Sequence, residues 1–347
     1  MSTRYGSEDF FHQLLSKAIA SGASDVHLKV GQPPGVRVSG DIVYFRVDKL
    51  TPEDTEAAAK LILGRQGTRE FMEELLEYDT SYEVEGLGRF RVNIYRQRSS
   101  FAVAMRSVPL KIPTADDLGV SQAVVDLGLQ ERGMVLVVGA AGNGKSSTLA
   151  CVVDAINDAY AKHIVTIEDP IEFIHMDKRA SISQREVGLD TGNFASALRA
   201  ALRQDPDVIL VGEIRDSETM EIALQSAETG HLVLSTMHTP DVTRSVNRLM
   251  ALSDSGADIR DRLADCIQGV VAQRLIPKIG GGLVLAQEIL VATGTVREAI
   301  KRPANNPPLK DLMEQGVMPY GMQTFPMALK ALVTQGLVTK EVAKSFL

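Results

Sequence analysis

Apolar positions along the chain switch between two periods, and the switches divide it. Phe10, Phe11, Leu14, Leu15, Ala18 and Ile19 recur at the spacing of one helical face, behind Ser7 as N-cap and ahead of Gly22 as a stop. Val26, Leu28 and Val30 then alternate with Asp25, His27 and Lys29, which predicts a strand whose polar face carries His27. Val36, Val38 and the run Ile42 to Val47 predict a hairpin across Ser39-Gly40-Asp41. Thr51-Pro52-Glu53-Asp54 opens a helix with proline just inside its start, and a second helix is expected near 68–76. Tyr82, Val84 and the stretches 89–95 and 100–106 read as further strands. Residues 1–107 are therefore expected to form a small mixed α+β domain. Pro109, Pro113 and the polar stretch 114–119 break the pattern, which places an interdomain linker at 108–119.

From Val120 to Leu347 strands and helices alternate, as a parallel sheet with crossover helices requires. Met134–Val138, the run ending at Glu168, Val208–Val211, the stretch 230–239 and Leu283–Leu290 are its expected strands. The stretch after residue 239, including Cys266 to Ile276, is expected to continue as helix. The segment beyond Leu290 is expected to be helical too, apart from a break at Pro303–Pro308, with Thr324 placed to cap a last helix pair.

The first of these strands runs into Gly139-x-x-x-x-Gly144-Lys145-Ser146, and an apolar helix follows through Leu149, Val152, Val153 and Ile156. Strand, glycine-rich loop and helix in that order form a phosphate-binding loop. The glycines let backbone N–H groups close around a β-phosphate, the helix N-terminus adds its positive dipole end, and Lys145 reaches the β/γ-phosphates. Gly139, Gly142, Asn143, Gly144, Lys145, Ser146 and Ser147 are the expected nucleotide-binding residues, with the Ser146 hydroxyl placed for Mg²⁺. Two further strands end in carboxylates. Glu168, Asp169 and Glu172 close one, halted by Pro170, and Glu213 emerges after Val208–Gly212 on a strand expected to neighbour the loop strand. Many phosphate-loop proteins place Asp where Glu213 stands. Either acid can hold Mg²⁺ or activate water.

The strand 230–239 carries His231 and His238 at its ends. No acid or cysteine is spaced to complete a zinc site with them, so His238 and Thr239 near a γ-phosphate is the expected use. Arg89, Arg91, Arg96, Arg98 and Arg106 fit either a solvated cationic sheet face or a set reserved for phosphate. Arg199 and Arg203 lie four apart on one helix face, in surface ion pairs or in phosphate contact across a subunit interface.

Charge and cysteine usage narrow this picture. Among 347 residues, 37 basic against 44 acidic side chains give a net charge of −7, which disfavours a nonspecific nucleic-acid binder. Cys151 and Cys266 lie far apart, so neither a zinc module nor a disulfide framework is expected and a reducing cytoplasm fits. No long apolar segment or signal-peptide layout is present. Direct membrane insertion is not expected; any membrane work would go through partners.

Taken together, these motifs resemble those of the secretion-type hexameric ATPases, most closely the type IV pilus retraction motors of the PilT/PilU group. The likeness rests on Ala23-Ser-Asp-Val-His-Leu28, Arg89-Phe-Arg-Val-Asn93, the phosphate loop, Ile167-Glu-Asp-Pro-Ile-Glu172, Gln184-Arg-Glu-Val-Gly188, Asp205 to Glu213, Gly230 to Thr239 and Gln273-Arg-Leu275, in co-linear order over nearly the whole chain. It implies a PAS-like α+β domain ahead of a RecA-like α/β domain, a homo-hexameric ring, and hydrolysis of ATP with Mg²⁺. Lys145 and Ser146 would hold phosphate and metal, Glu213 would act on the metal, and Glu168 would activate water, although the two acids could exchange roles. His231 and His238 would sense the γ-phosphate, and Arg91 and Arg106 would reach the phosphates. The implied work is withdrawal of pilin from a pilus. The ring would be recruited to the cytoplasmic face of the inner membrane by a platform protein, beside a paralogous motor, with no nucleic acid involved and the linker serving as hinge. A nucleotide-binding ring subunit that regulates another motor is the alternative. The chain departs from the family at Ala140, Ala141 and Asn143 of the loop and at Ser235, and it lacks a recognisable Ala-Ile-Arg-rich helix near 294–302. The four-cysteine module of assembly and type II secretion motors is also missing.

Overall fold

The computed structural model of the chain describes residues 3–109, 111–253 and 258–347. It divides into two units, Met1–Leu110 and Lys111–Leu347, each with its own core.

In the first unit, α1 (Glu8–Ala20), β1 (Ala23–Lys29), β2 (Gly35–Val38), β3 (Asp41–Tyr44), α2 (Pro52–Leu63), α3 (Arg69–Glu74), β4 (Glu77–Val84), β5 (Gly88–Gln97) and β6 (Ser100–Ser107) follow in order. The strands form one antiparallel sheet in the order β3-β2-β1-β6-β5-β4. Period-two patterning explains its build. Val26, Leu28, Val92, Ile94, Val103 and Met105 turn to one face and are buried with Phe11, Leu15, Ala58 and Ala59 of α1 and α2. Each large aliphatic or aromatic side chain removed from water in this way contributes roughly 1.5–3 kcal/mol. Thr51 starts α2 with a full capping box, its hydroxyl accepting from Asp54 N–H while the Asp54 carboxylate accepts from Thr51 N–H.

The second unit runs α4 (Ala115–Leu118), α5 (Gln122–Gly128), β7 (Gly133–Val138), α6 (Lys145–Ala159), β8 (His163–Glu168), β9 (Ser181–Glu186), α7 (Phe194–Ala201), β10 (Val208–Val211), α8 (Ser217–Glu228), β11 (Leu232–Met237) and α9 (Val242–Leu252). It continues with α10 (Ile259–Cys266), β12 (Ile267–Pro277), β13 (Leu283–Val291), α11 (Gly294–Lys301), α12 (Leu309–Gln315), α13 (Phe325–Thr334) and α14 (Lys340–Ser345). Its sheet has the order β13-β12-β7-β11-β10-β8-β9, and β13 alone is antiparallel to its neighbour. Helices cover both faces, so the central strands read as unbroken apolar runs. Met134, Leu136 and Val138 enter one core with α7 to α13, while Val135 and Val137 enter the other with α5 and α6.

Three expectations are corrected here. Residues 114–119 are not linker: Thr114 and Asp117 form a capping box that starts α4, Gly119 ends it in the left-handed region, and α4 packs on α6 within the second unit. The stretch from Ile267 to Ile276 is strand β12, not helix, and it lies directly against β7. A short run of apolar residues does not distinguish a buried strand from a buried helix by its period, and Gly269 marks the difference. A Cβ there would stand 2.5 Å from Leu127 Cδ1 and 2.8 Å from the Leu290 carbonyl oxygen, an approach that this sheet position needs. The strand of Glu213 does not neighbour the loop strand either, because β11 lies between β10 and β7.

Candidate nucleotide site

Parallel strands direct the loops at their carboxyl ends to one edge of the sheet, and there β7, β8, β10 and β11 bring the predicted chemistry together. Gly139 leaves β7 with φ +148°, and a Cβ on it would meet the Gln273 carbonyl oxygen of β12 at 2.6 Å. Gly142 and Gly144 hold φ of +78° and +76°, where only glycine is unstrained. Gly144 is the N-cap of α6, so the loop ends on an open helix N-terminus. The Asn143 side chain accepts from Leu275 N–H at 3.0 Å, and Gln273 Nε2 donates to Thr148 Oγ1 at 2.7 Å. The motif Gln273-Arg274-Leu275 thus acts as a brace that shapes the loop from β12.

The loop opens on a cavity of about 550 Å³, lined by Gly142, Gly144, Lys145, Ser146 and Ser147 on one side and Glu168, Glu172, Glu213, Arg215 and His238 on the other. Lys145 is buried and donates to the Gly139 and Ala140 carbonyls, both at 3.0 Å. Burial pushes its pKa down, and the Glu213 and Glu172 carboxylates oppose that. Glu213 is buried at the end of β10, paired with Arg215, with His238 Nε2 at 3.4 Å. Its Oε2 has no hydrogen bond. Glu168 accepts from Thr166 Oγ1 at 2.7 Å and from Gln184 Nε2 at 3.1 Å. Desolvation raises its pKa; these donors and the Glu172 N–H pull it down, while the Glu172 charge adds to the rise. His175, which also lines the cavity, is pushed down to about 4 by burial and stays a neutral imidazole.

The donor set fits a Mg²⁺-bound nucleotide: a hydroxyl at the helix start, a buried carboxylate with an unpartnered oxygen, and a lysine between them. Among the described residues no three His, Cys, Asp or Glu side chains are grouped to hold a metal, so such an ion would need phosphate oxygens as well as Ser146 and Glu213.

Two predicted residues fare differently. His238 joins the cluster, but His231 does not. It precedes β11, its carbonyl accepts from Gly133 N–H at the start of β7, and its ring sits by Ser226 O at 2.9 Å. That is a full strand from the loop, ~20 Å at the rise of a β-strand, so it cannot read a phosphate bound in its own subunit. Arg91 and Arg106 lie in the first unit, opposite one another across β5 and β6, and Arg106 Nε donates to Asp25 Oδ1 at 2.9 Å. Arg199 pairs with Glu218 at 2.5 Å, the surface ion pair of the two readings. Sequence reasoning missed Thr166, Gln184 and Arg215. Thr166 was within reach, since residues two apart on a strand share a face; Gln184 needed the pairing of β8 with β9.

A phosphate loop, a lysine inside it, two strand-end carboxylates and a histidine around one cavity define a nucleoside-triphosphate hydrolase of RecA-like build. A family model described as Type II/IV secretion system protein matches residues 89–302. The chain is 42% identical to the type IV pilus retraction ATPase PilT of Pseudomonas aeruginosa over 96% of both chains. It is 37% identical to the type IV pilus ATPase PilU of the same bacterium, over 96% of this chain and 87% of that one. A crystal structure of the pilus retraction motor PilT with bound ADP matches with a TM-score of 0.87 and 43% identity, covering 96% of each chain. The chain belongs to the type II/IV secretion system protein family, and it is an ATPase.

Proposed function

We propose that this chain is the ATP-hydrolysing subunit of a homo-hexameric ring that powers type IV pilus retraction, drawing pilin out of the fibre at the cytoplasmic face of the inner membrane. The observation that carries the reading is the convergence of Lys145, Glu168, Glu213 and His238 on the phosphate-loop cavity. The likeness to PilT along 96% of both chains supports the direction of work. A platform protein in the membrane and a paralogous motor, as PilT and PilU coexist in one bacterium, are the partners this reading calls for. No helix among the described residues is long and apolar enough to cross a membrane, so attachment would go through such partners.

In this reading the loop N–H groups and the α6 N-terminus bind the phosphates, and Lys145 turns from the Gly139 and Ala140 carbonyls to the β/γ-phosphates. Ser146 and Glu213 would hold Mg²⁺, which supplies charge neutralisation on the transferring phosphoryl group. Glu168 orients the attacking water and takes its proton. His238 stands beside Glu213, placed to respond to the γ-phosphate. Arg91 and Arg106, from the first unit, stabilise the phosphate charge. Lys145→Ala and Glu213→Ala should each abolish ATP turnover of the purified protein, and a strain lacking the gene should accumulate surface pili without twitching. Turnover at the parental rate in either variant removes the hydrolytic assignment; loss of pili in the strain turns the reading from retraction to assembly. A hexamer that forms but shows no basal turnover favours the regulatory ring subunit.

A further inference from the structure

The carboxylate that ends β8 is gripped from the neighbouring strand. In the parallel register of β8 and β9, Gln184 stands opposite Thr166, and Glu168 lies two residues further along the same face. Thr166 Oγ1 and Gln184 Nε2 both donate to Glu168 Oε1, at 2.7 and 3.1 Å. A carboxylate has about four acceptor positions, two on each oxygen. Oε1 is therefore filled, and even with the Glu172 N–H as a third donor the remaining capacity lies on Oε2. The Gln184 amide is itself committed. Its second N–H goes to the Phe173 carbonyl at 2.9 Å and its oxygen accepts from His175 N–H at 2.8 Å. Two residues on, the Glu186 carboxylate accepts from Ile171 N–H at 3.2 Å. β9 thus ties the segment beyond Glu168 at Ile171, Phe173 and His175, and one side chain reaches from that frame to the carboxylate.

We propose that Gln184 is a positioning residue for ATP hydrolysis: it locks the Glu168 carboxylate by one oxygen so that the other faces the attacking water. The inference rests on the reading of Glu168 as the general base, and it sharpens the choice between the two acids. Glu213 is ion-paired with Arg215 and has the His238 ring beside it, whereas the donors on Glu168 are neutral and leave one oxygen for a proton. It also gives tasks to Gln184 and Glu186, neither of which lines the nucleotide cavity.

The test is the pH profile of steady-state ATP turnover by the full-length protein, with Gln184→Met, close in shape but without hydrogen bonds. The groups facing Glu168 are Glu172 beside it and, around the same cavity, Lys145, Asp169, His175, Glu213, Arg215 and His238. All of these remain in the variant. Losing a donor to the ionised carboxylate makes it harder to ionise, so the acidic limb of kcat should move to higher pH by roughly one unit. The loosened carboxylate should lower kcat about ten- to a hundredfold, with KM changed less than about twofold. A parental kcat with an unmoved limb overturns the proposal, and so does a fall in kcat with the limb in place, which marks a purely structural role. Should thermal melting show that the Met variant is unfolded, Gln184→Glu takes its place. It keeps the acceptor for His175 N–H and sets a second carboxylate against Glu168, so it must move the limb in the same direction. Glu168→Gln is run alongside. If that variant turns over ATP normally, the general-base reading fails and the positioning role with it. If it is inactive while Gln184→Met is normal, only the positioning role fails.

Discussion

At the scale of single residues, the role proposed for Glu168 sets function against stability. Desolvation leads the causes that raise its pKa, so between the unfolded and folded values the folded chain holds the extra proton. Stability therefore falls as pH rises through that interval, and above it the ionised carboxylate is a standing cost. Glu168→Gln removes the charge and keeps an acceptor for Thr166. Turnover should drop about 10²- to 10⁴-fold, as expected on losing a general base. Thermal melting above the interval should show the variant at least as stable as the parent. A variant that melts lower above that interval would show that the ionised group stabilises the fold instead. Gly139 is the opposite case, where one atom harms both fold and function. A Cβ there must displace the Gln273 carbonyl, 2.6 Å away, on a backbone at φ +148°. Gly139→Ala should cost roughly 1–3 kcal/mol of stability, and nucleotide affinity should fall with it because the same carbonyl belongs to the brace that shapes the loop. A thermal shift assay with and without ADP measures both.

At the scale of elements, what the sequence revealed and what it concealed separate along physical lines. β7, the phosphate loop and α6 were legible because their signal is local: an apolar run, glycines at fixed offsets, then helical spacing. The ends of β8, β10 and β11 were legible for the same reason. Strand order was not. Nothing within Val208–Glu213 or Leu232–Met237 says that β11 lies between β10 and β7, since that order is settled by how the crossover helices pack. His231 was misplaced through the same gap, because parallel strands send residues seven apart to opposite edges of the sheet. β12 was hidden by its composition, which a buried helix could share. Gly269 offers a check at this scale. Its missing side chain admits Leu127 of α5 and the backbone of β13, so Gly269→Ala should overpack the junction and cost about 1–3 kcal/mol. Chemical denaturation should detect that loss in the second unit, and an unchanged midpoint would mean that α5 yields without cost.

At the scale of the whole molecule, the proposed role of the first unit rests on two arginines, and they allow a test that separates chemistry from architecture. Arg91 and Arg106 stand side by side, and among the described residues Arg106 is the one tied down, by the buried Asp25. Burial alone would raise the Asp25 pKa; the Ser24 hydroxyl and the Arg106 guanidinium more than offset it, and the net shift is downward. A lowered folded pKa contributes stability that is present above the unfolded value and lost as pH falls through the folded one. If both arginines act on phosphate charge, Arg91→Ala and Arg106→Ala should both lower turnover, by on the order of 10²-fold or more. They should differ in stability. Arg106→Ala leaves Asp25 without its closest cation, with Arg37 at 3.9 Å, and should cost about 1 kcal/mol at neutral pH, the exposed guanidinium being screened by water. That deficit should shrink as pH falls through the folded Asp25 value, whereas Arg91→Ala should show none. Turnover at the parental level in both variants, alongside the expected stability loss in one, would confine the pair to the architecture of the first unit and leave hydrolysis to the cavity of the second.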